Sequence, residues 1–537
     1  MGFIKKNQKI ALVLLCILNV FRSGCLIAVT LLTRSLINTA VSGEENLFSD
    51  LLKYSICLFS VVLLQIALRI CFQFINNKYA IRYELDLKQQ IYGKFINKEL
   101  SSIQKIHSGE MSNLYMSDVR NIVDGYFKLI PNVVLNVSTF VFSFIALMVI
   151  DYIFLLAALL LGVVIYLLSL PYGKYVKKFQ KKVLESNGEL TAYMQESVEN
   201  IKLIKANSVE ENAKNILENK AEKNYKIKHR FNNFAIIGST GMMSIFNLTY
   251  IFALIYGAFM LFKRPDIFSY GELVALLRLV NYFESPISAL SDFLNGYYAF
   301  KVSKQRISNI DYLTDEINDE EVNDFDSIVF DHVSFSYDKL VLNDLSLEIK
   351  KQEIWALKGP SGIGKTTMLN LILGFIVPTS GNIYIKYKDK HYPVSKATRK
   401  LFSYVPQENI LFSGTIRDNI DLFAPNSKEE DIQKCLTLAG IINDINEMPL
   451  KLDTKLNERG VGLSLGQIQR ILIAISLLKD KPILLLDEFT SALDKDIEKE
   501  IINNLVGLDK TIILITHRDI NVAGLKEFSL RSVDYDQ

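Results

Sequence analysis

The stretch LSLGQ, residues 463–467, lies about 100 residues after GPSGIGKTT (359–367) and about 20 residues before the acidic pair Asp487 and Glu488. GPSGIGKTT satisfies the pattern GxxxxGK[ST], follows the apolar strand-like run 354–357 and precedes a helical pattern. Glycines in such a loop let backbone amides converge on phosphate oxygens, and the N-terminus of the following helix adds partial positive charge. The order and spacing of these segments predict one particular kind of nucleotide-binding domain.

The side-chain chemistry of individual residues in this region predicts a role for each of them. Lys365 can reach the β and γ phosphates of ATP, and the Thr366 hydroxyl suits Mg²⁺. Asp487 and Glu488 follow a buried strand pattern; Asp487 suits the Mg²⁺ shell and Glu488 suits polarising the attacking water. His517 follows a further apolar run and is predicted to contact the γ-phosphate. The predicted ATP-binding loop comprises Gly359, Pro360, Ser361, Gly362, Ile363, Gly364, Lys365, Thr366 and Thr367.

The half of the chain before this region is built from long apolar runs. The chain as a whole is 50% hydrophobic with a mean hydropathy of +0.20, which is too apolar for an ordinary soluble protein. A helix needs about 20 mostly apolar residues to cross roughly 30 Å of hydrocarbon. Six runs meet this length and predict six membrane spans: 10–33, 51–75, 129–150, 152–171, 234–262 and 268–290.

Two long connectors, 76–128 and 172–233, separate some of these spans, whereas the other loops are short. The short loop 43–50 is acidic and the segment 174–182 is basic, so the positive-inside tendency predicts that both connectors and both termini are cytoplasmic. Apolar residues recur with helical periodicity in both connectors. Each connector is therefore predicted to be a helical hairpin that projects beyond the membrane.

The composition of the chain also excludes several classes of protein and indicates where one domain ends and the next begins. The net charge of +2 gives no indication of nucleic-acid binding, and six spans exclude a soluble ATPase of DNA metabolism. The five cysteines have no CxxC spacing, which predicts reduced thiols and neither a metal site nor a disulfide framework. Residues 301–325 are polar and acidic and are predicted to be a linker. Alternating strand and helix patterns after it predict an α/β domain.

The motifs GPSGIGKTT, YVPQ, LSLGQIQR, ILLLDE, SALD and ITHR occur in this order, after six spans with two long hairpins. This pattern resembles an exporter-type half-transporter of the ATP-binding cassette (ABC) family. The resemblance implies an all-α transmembrane domain (1–300), a linker (301–325) and an α/β P-loop NTPase domain (326–537). It implies ATP-driven export of a peptide, a lipid or an amphipathic small molecule by alternating access. The alternatives are an ATP-dependent membrane regulator and a lipid flippase.

The resemblance also assigns roles to individual residues. Tyr337 matches the aromatic residue that stacks on adenine, and Gln407 matches the glutamine that senses Mg²⁺ and the attacking water. Ser464, Gly466 and Gln467 match the signature that contacts the γ-phosphate of ATP bound to the other subunit, which splits catalysis across a dimer. The remaining matches are Ser491, Ala492 and Asp494 in a loop between the two sites, and Glu458, Arg459 and Gly460 beside the hairpins.

Several features leave questions open. Leu465 replaces a glycine of the family signature and Ile475 replaces an arginine, which predicts a working site with an altered rate or dimer affinity. Arg22, Arg278 and Glu284 lie within apolar spans, where ionisable groups line a cavity, pair with each other or extend to the surface. Both homodimers and heterodimers occur in the family that the chain resembles; because all catalytic positions are present here, a homodimer is the expected form, with a heterodimer as the alternative, in the plasma membrane of a bacterium.

Overall fold

A computed structural model of the chain describes residues 4–42, 47–104, 111, 113–265, 267–317, 320–360, 362–408, 410–456, 462–489, 493–516 and 524–530. Within these ranges, the description omits the side chains of residues 42, 47, 158, 161–174, 176, 177, 180, 184, 239, 242, 243, 246, 283–288, 290–292 and 295. The chain divides into two compact units. One contains residues 1–92 and 109–309, and the other contains 93–108 and 310–537.

The first unit is helical throughout its described residues. Its helices are α1 (Lys6–Ser42), α2 (Leu47–Phe95, which ends in the second unit), α4 (Leu114–Ile150), α5 (Tyr152–Glu199), α6 (Ile201–Ala206), α7 (Glu210–Lys263), α8 (Tyr270–Ser288) and α9 (Leu290–Asn309). Helix α4 includes two π-helical turns, Leu114–Asp118 and Gly125–Leu129. The six predicted spans coincide with α1, α2, α4, α5, α7 and α8, and among the described residues α1, α2 and α4 are long and apolar enough to cross a membrane.

The lengths of α5 and α7 account for the second long connector between the predicted spans. Helices α5 and α7 contain 48 and 54 residues, which at 1.5 Å per residue is roughly 70–80 Å and more than twice the thickness of the hydrocarbon core. The two helices pack against each other, and the short helix α6 joins them. The second connector is therefore a helical hairpin. The core of this unit forms around Leu147, Phe154 and Leu276, where α4, α5 and α8 meet.

Two of the three ionisable residues that the sequence analysis singles out within the spans have polar partners in the structure. Arg22 donates to Asn19 Oδ1 at 2.7 Å and lies over the ring of Phe72. Arg278 donates to Thr33 Oγ1 at 3.3 Å. The side chain of Glu284 lies outside the described residues. The bonds that the structure describes for the two arginines thus go to neutral polar side chains, and not to another of these three charged residues.

The second unit contains two main sheets. The strands are β1 (Ser327–Ser336), β2 (Leu340–Lys350), β3 (Ile354–Lys358), β4 (Ser380–Tyr387), β5 (Lys390–Pro393), β6 (Phe402–Val405), β7 (Gly414–Thr415), β8 (Lys455–Leu456), β9 (Ile483–Asp487), β10 (Thr511–Ile515) and β11 (Leu525–Ser529). The order β2-β1-β4-β5 forms an antiparallel sheet, and β11-β3-β10-β9-β6 forms a parallel sheet. The carboxyl ends of parallel strands meet at one edge, so the residues that follow β3 and β9 share an edge.

The helices of this unit are α3 (Leu100–Ile103), α10 (Lys365–Ile372), α11 (Ile416–Phe423), α12 (Glu429–Leu438), α13 (Ile442–Glu447), α14 (Leu465–Leu478) and α15 (Lys495–Val506). The parallel sheet contributes to two apolar clusters, one of which includes α14 and the other α10. Strand β9 is buried along its whole length, because both faces of the sheet are covered.

A piece of the first connector belongs to this second unit. Glu99 N donates to Thr314 O at 3.0 Å, and Glu316 N donates to Asn97 O at 3.0 Å. The ammonium of Lys98 is buried and contacts Asp315 Oδ1 at 2.8 Å. The region predicted to be a linker is also more ordered than its composition suggests, because α9 continues to residue 309 and Phe325 is fully buried.

Candidate active site

The loop between β3 and α10 has the backbone geometry of an anion cradle. Gly359, Gly362 and Gly364 have φ angles of +147°, +81° and +105°, a region in which side chains are strained. The ammonium of Lys365 is buried and donates to the carbonyls of Gly359 and Pro360 at 2.8 and 3.0 Å. Burial lowers the pKa of Lys365, against the attraction of the nearby carboxylates. Lys365 is thus held across the mouth of the loop, as a phosphate-binding lysine requires.

Asp487, at the end of β9, meets Thr366 at the start of α10. The Thr366 hydroxyl donates to Asp487 Oδ1 at 3.4 Å, and within the described residues the buried Oδ2 accepts no hydrogen bond of normal geometry, although the Tyr404 hydroxyl lies near this carboxylate. Burial raises the pKa of Asp487 to about 6; the Thr366 hydrogen bond opposes this rise and the charge of Glu488 adds to it. A buried carboxylate beside a hydroxyl provides oxygen ligands of the kind that Mg²⁺ accepts. These two residues therefore fit a divalent cation.

The raised pKa predicts how stability depends on pH. The pKa of Asp487 is about 6 in the folded chain and 3.8 as its ordinary value, so the stability that this one carboxyl group contributes is fully present below pH 4 and is lost as pH rises through 6. We expect this residue to lower the free energy of unfolding by about 3 kcal/mol between pH 4 and pH 7. The measurement is chemical unfolding of the full chain without nucleotide or Mg²⁺, followed by fluorescence of its one tryptophan, Trp355 in β3.

Asp487→Asn serves as the comparison for this pH dependence, because the amide does not titrate. The variant should lose that part of the pH profile and should also lose stabilisation by added Mg²⁺ at pH 7. Parallel pH profiles for the wild type and Asp487→Asn would show that the carboxyl group does not have a raised pKa.

Glu488 lies immediately after β9 in an uncommon backbone conformation. Its φ angle is +46°, a left-handed value that costs a non-glycine residue about 1–3 kcal/mol and recurs at functional sites. Its Oε2 accepts a hydrogen bond from Gln407 Nε2 at 2.8 Å, and its carbonyl faces Gln469 Nε2 at 3.4 Å. The strained turn thus brings together Glu488 and Gln407, which the sequence predicts to share the catalytic and cation-binding region.

The signature segment forms the N-terminus of α14. Ser464 is the N-cap, and its Oγ accepts from Gln467 N at 3.2 Å while Ser464 N donates to Gln467 Oε1 at 3.0 Å. This reciprocal pair is a capping box. The Gln467 amide also donates to Asp444 Oδ1 at 2.9 Å, and Arg470 binds the same carboxylate through Oδ2 at 2.9 Å. Asp444 and Arg470, to which the sequence analysis assigns no role, thus hold the signature in place.

Electrostatics reinforce this arrangement. Although burial opposes the effect, the hydrogen bonds from Gln467 and Arg470 hold the pKa of Asp444 below its ordinary value. Leu465, the first helical residue, takes no part in this network and is 63% exposed. Its side chain therefore leaves the capping box intact, and the signature retains the Ser464 hydroxyl in a defined position.

The capping box predicts a measurable loss of stability. Ser464→Ala removes the acceptor for Gln467 N and should lower the free energy of unfolding by about 1 kcal/mol. Thr415→Ala is a matched control, because Thr415 forms the same kind of box with Asp418 at the start of α11. Both variants should lose similar stability in Trp355-monitored unfolding. Only Ser464→Ala should also lower the rate of ATP hydrolysis. If the two variants hydrolysed ATP at equal rates, Ser464 would act only as the cap of its helix.

Tyr337 lies at the edge of a separate cavity in the second unit. The cavity has a volume of 660 Å³ and is also lined by Phe335, Ile376 and Val377. Tyr337 is 60% exposed, and its ring meets Phe335 edge-on with centroids 4.8 Å apart. Phe335 thus supports one edge of a ring that is largely exposed, which suits an aromatic residue that stacks on adenine.

Other predicted positions lie outside the residues that the structure describes. They are Ser361, Glu458, Arg459, Gly460, Ser491, Ala492 and His517. Their assigned roles therefore stay predictions. Thr367 is described and is buried in α10 directly after the cradle, and Asp494 caps the start of α15.

Comparison with known proteins agrees with this geometry. The sequence family of the ABC transporter transmembrane region matches residues 12–287, which is just over half of the chain, and the ABC transporter family matches residues 342–491. The chain belongs to the ABC transporter family. Its ATP-binding domain hydrolyses ATP, and this hydrolysis is coupled to transport.

Similar full-length proteins support the same assignment. The transport/processing ATP-binding protein ComA of Streptococcus pneumoniae is 28% identical over 95% of this chain and 71% of its own length. The lactococcin-A transport/processing ATP-binding protein LcnC of Lactococcus lactis is 29% identical over 90% of this chain and 67% of its own length. The structure of a bacterial Atm1-family ABC exporter with ATP bound has a TM-score of 0.79 at 20% identity, covering 96% and 91% of the two chains. The exporter fold predicted from the sequence is confirmed.

Proposed function

We propose that two copies of this ABC transporter assemble and bind ATP between them, and that its hydrolysis drives export of a peptide, a lipid or an amphipathic small molecule. In each site, Lys365 binds the phosphates of ATP in its own subunit. The γ-phosphate is also bound by Ser464 and Gly466 of the partner subunit. Neither subunit alone satisfies the charge of the γ-phosphate, so ATP stabilises the closed dimer and hydrolysis releases it.

The single observation that carries this proposal is the cluster at the carboxyl ends of β3 and β9. Thr366 and Asp487 would hold Mg²⁺, with Gln407 nearby through its hydrogen bond to Glu488. Bound Mg²⁺ neutralises phosphate charge during transfer. Glu488 then acts as the general base for the attacking water, because it lies directly after β9 beside Asp487 and the hydrogen bond from Gln407 orients its carboxylate.

The signature segment supports the shared site. The signature segment itself lies at the surface, where Ser464 and Leu465 at the start of α14 are exposed and accessible to a partner. The Ser464 hydroxyl lies beside the same helix N-terminus, where partial positive charge favours an anion. Each copy thus offers one nucleotide cradle and one separate anion-binding surface.

Transport in reconstituted vesicles tests the proposal. The chain is inserted into proteoliposomes, and uptake of labelled peptides, lipids and amphipathic drugs into inside-out vesicles is measured with ATP and with a non-hydrolysable analogue. We expect uptake of one class to require hydrolysis and to stop in Glu488→Gln. ATP hydrolysis without movement of any of the three classes would instead indicate a membrane regulator. The same vesicles test the proposed orientation, with both termini on the ATP side of the plasma membrane.

A further inference from the structure

A cavity of 370 Å³ opens within the first unit between α4 and α9. One of its walls carries polar side chains at every fourth residue of α4, at Asp124, Lys128, Asn132 and Asn136. We call these four residues the polar ladder. Residues spaced by four share a face of a helix and rise about 6 Å per step. The ladder therefore presents one continuous polar edge of about 18 Å to the cavity.

Two members of the ladder lie where polar groups are costly. Asn132 and Asn136 fall in the run 129–150, which contains no charged residue and coincides with an apolar span. Polar side chains in such spans face a protein interior or a cavity and mark functional sites. Within the described residues, neither amide has a hydrogen-bond partner in the protein. Both line the cavity, so their donors and acceptors are available to a ligand.

The cavity is held open by a rigid base and a close helix contact. Asn121 at one end donates to Ser303 Oγ at 3.0 Å, and Ser303 donates to the buried Asp118 at 2.6 Å. Gly296 in α9 faces Leu129 so closely that an added Cβ would lie 2.5 Å from its Cδ1. The second π-helical turn of α4, Gly125–Leu129, forms part of the wall, and such turns are frequent at functional sites.

The opposite wall favours one class of cargo. Its described residues are Ala289, Phe293, Gly296 and Ala299, and the three small ones among them leave room beside the Phe293 ring for the substituents of a bound chain. Asparagine offers both a donor and an acceptor, as a peptide group does. The ladder step of about 6 Å is close to the 6.6–6.8 Å that two residues of an extended chain span. An acyl chain would instead require an apolar wall on both sides.

We propose that this cavity binds the exported cargo, and that the cargo is a peptide in extended conformation whose alternate peptide groups hydrogen-bond to Asn132 and Asn136. Lys128 and Asp124 continue the ladder with opposite charges and bind charged groups of the same chain. This inference rests on the proposed export function and narrows its three cargo classes to one. Affinity comes from the backbone, so the site accepts peptides of varied sequence.

Photolabelling of the full chain in lipid nanodiscs tests the peptide site. The probe is a library of random dodecapeptides with one diazirine side chain at the centre, and labelled residues are mapped by mass spectrometry. We expect labels on α4 between residues 121 and 136 and on α9 between 293 and 299. The Asn132→Leu/Asn136→Leu double variant should label about 10-fold less, which is the effect expected for two net hydrogen bonds. A library with N-methylated backbones should compete about 10-fold more weakly.

Val137→Leu is the matched control, because Val137 lies beside Asn136 but outside the cavity lining and is largely exposed. It should label like the wild type. The inference is overturned if the double variant also labels like the wild type, or if a diazirine phospholipid labels the ladder while peptides do not. It is also overturned if the double variant is monomeric where the wild type is dimeric, since the ladder would then be a subunit interface.

Failure of this inference can be told apart from failure of the export proposal. Glu488→Gln should still bind and label with peptides while transporting nothing. ATP-dependent uptake of a lipid or a drug, with no labelling of the ladder by peptides, would reject the peptide site and leave export intact. Peptide labelling at the ladder without any ATP-dependent uptake would reject export.

Discussion

Glu488→Gln is expected to lower the rate of ATP hydrolysis about 10²- to 10⁴-fold, the range that general bases contribute. Glutamine keeps the size of the side chain, and its carbonyl oxygen can still accept the hydrogen bond that Gln407 donates at 2.8 Å to Glu488. It cannot accept a proton from water at neutral pH. The measurement is steady-state phosphate release from purified protein, with ATP binding measured separately.

ATP binding should survive this substitution, because Glu488 is assigned to the chemical step and not to holding the phosphates. Glu430→Gln, at an exposed carboxylate in α12, is the matched control and should hydrolyse ATP at the wild-type rate. If Glu488→Gln kept more than a tenth of the wild-type rate of ATP hydrolysis, Glu488 would not be the general base.

Lys365→Met should have the second large effect, on ATP binding itself. The ammonium is buried across the phosphate loop and held by two carbonyls, and hydrogen bonds to charged groups contribute about 1.5–3 kcal/mol each. Loss of the charge should raise the Kd for ATP by about 100-fold, since it removes a charge-assisted contact with the phosphates. The measurement is titration with a fluorescent ATP analogue.

Lys499→Met is the comparison for this variant, because Lys499 is exposed on α15. It removes the same charge with the same replacement and should leave the Kd unchanged. An unchanged Kd in Lys365→Met, with a normal Trp355-monitored unfolding curve, would contradict the assignment of the phosphate loop.

The sequence alone predicts those parts of the fold that depend on local pattern. Three such features depend on residues that are close together in the chain: the six long apolar runs, the GxxxxGK[ST] loop and the acidic pair after β9. The serine and glutamine of LSLGQ, three residues apart, likewise match a capping box. The structure shows that box at the start of α14, with Ser464 and Gln467 bonded reciprocally.

Other features depend on contacts between distant residues and could not be read from pattern. Asp444 holds Gln467 and Arg470, although it precedes them by more than 20 residues and lies in a separate helix. Glu488 has a left-handed backbone conformation, which the sequence does not indicate because the residue is not a glycine. The region 301–325 resembles a linker because of its many acidic residues, but four of its apolar residues, Ile307, Ile310, Val322 and Phe325, are buried.

The central claim is that each ATP site combines Lys365 and Glu488 of one copy with Ser464 and Gly466 of the partner subunit. Gly466→Asp places a negative charge at the signature, at a helix N-terminus that tolerates an acid. Two tagged copies are co-expressed, and ATP hydrolysis by purified mixed dimers is measured. One pair joins a Glu488→Gln copy to a Gly466→Asp copy; the other joins a copy with both substitutions to a wild-type copy. The shared-site account predicts that the first pair keeps one intact site and hydrolyses ATP, while the second pair has none and is inactive. Activity in the second pair and not in the first would contradict it.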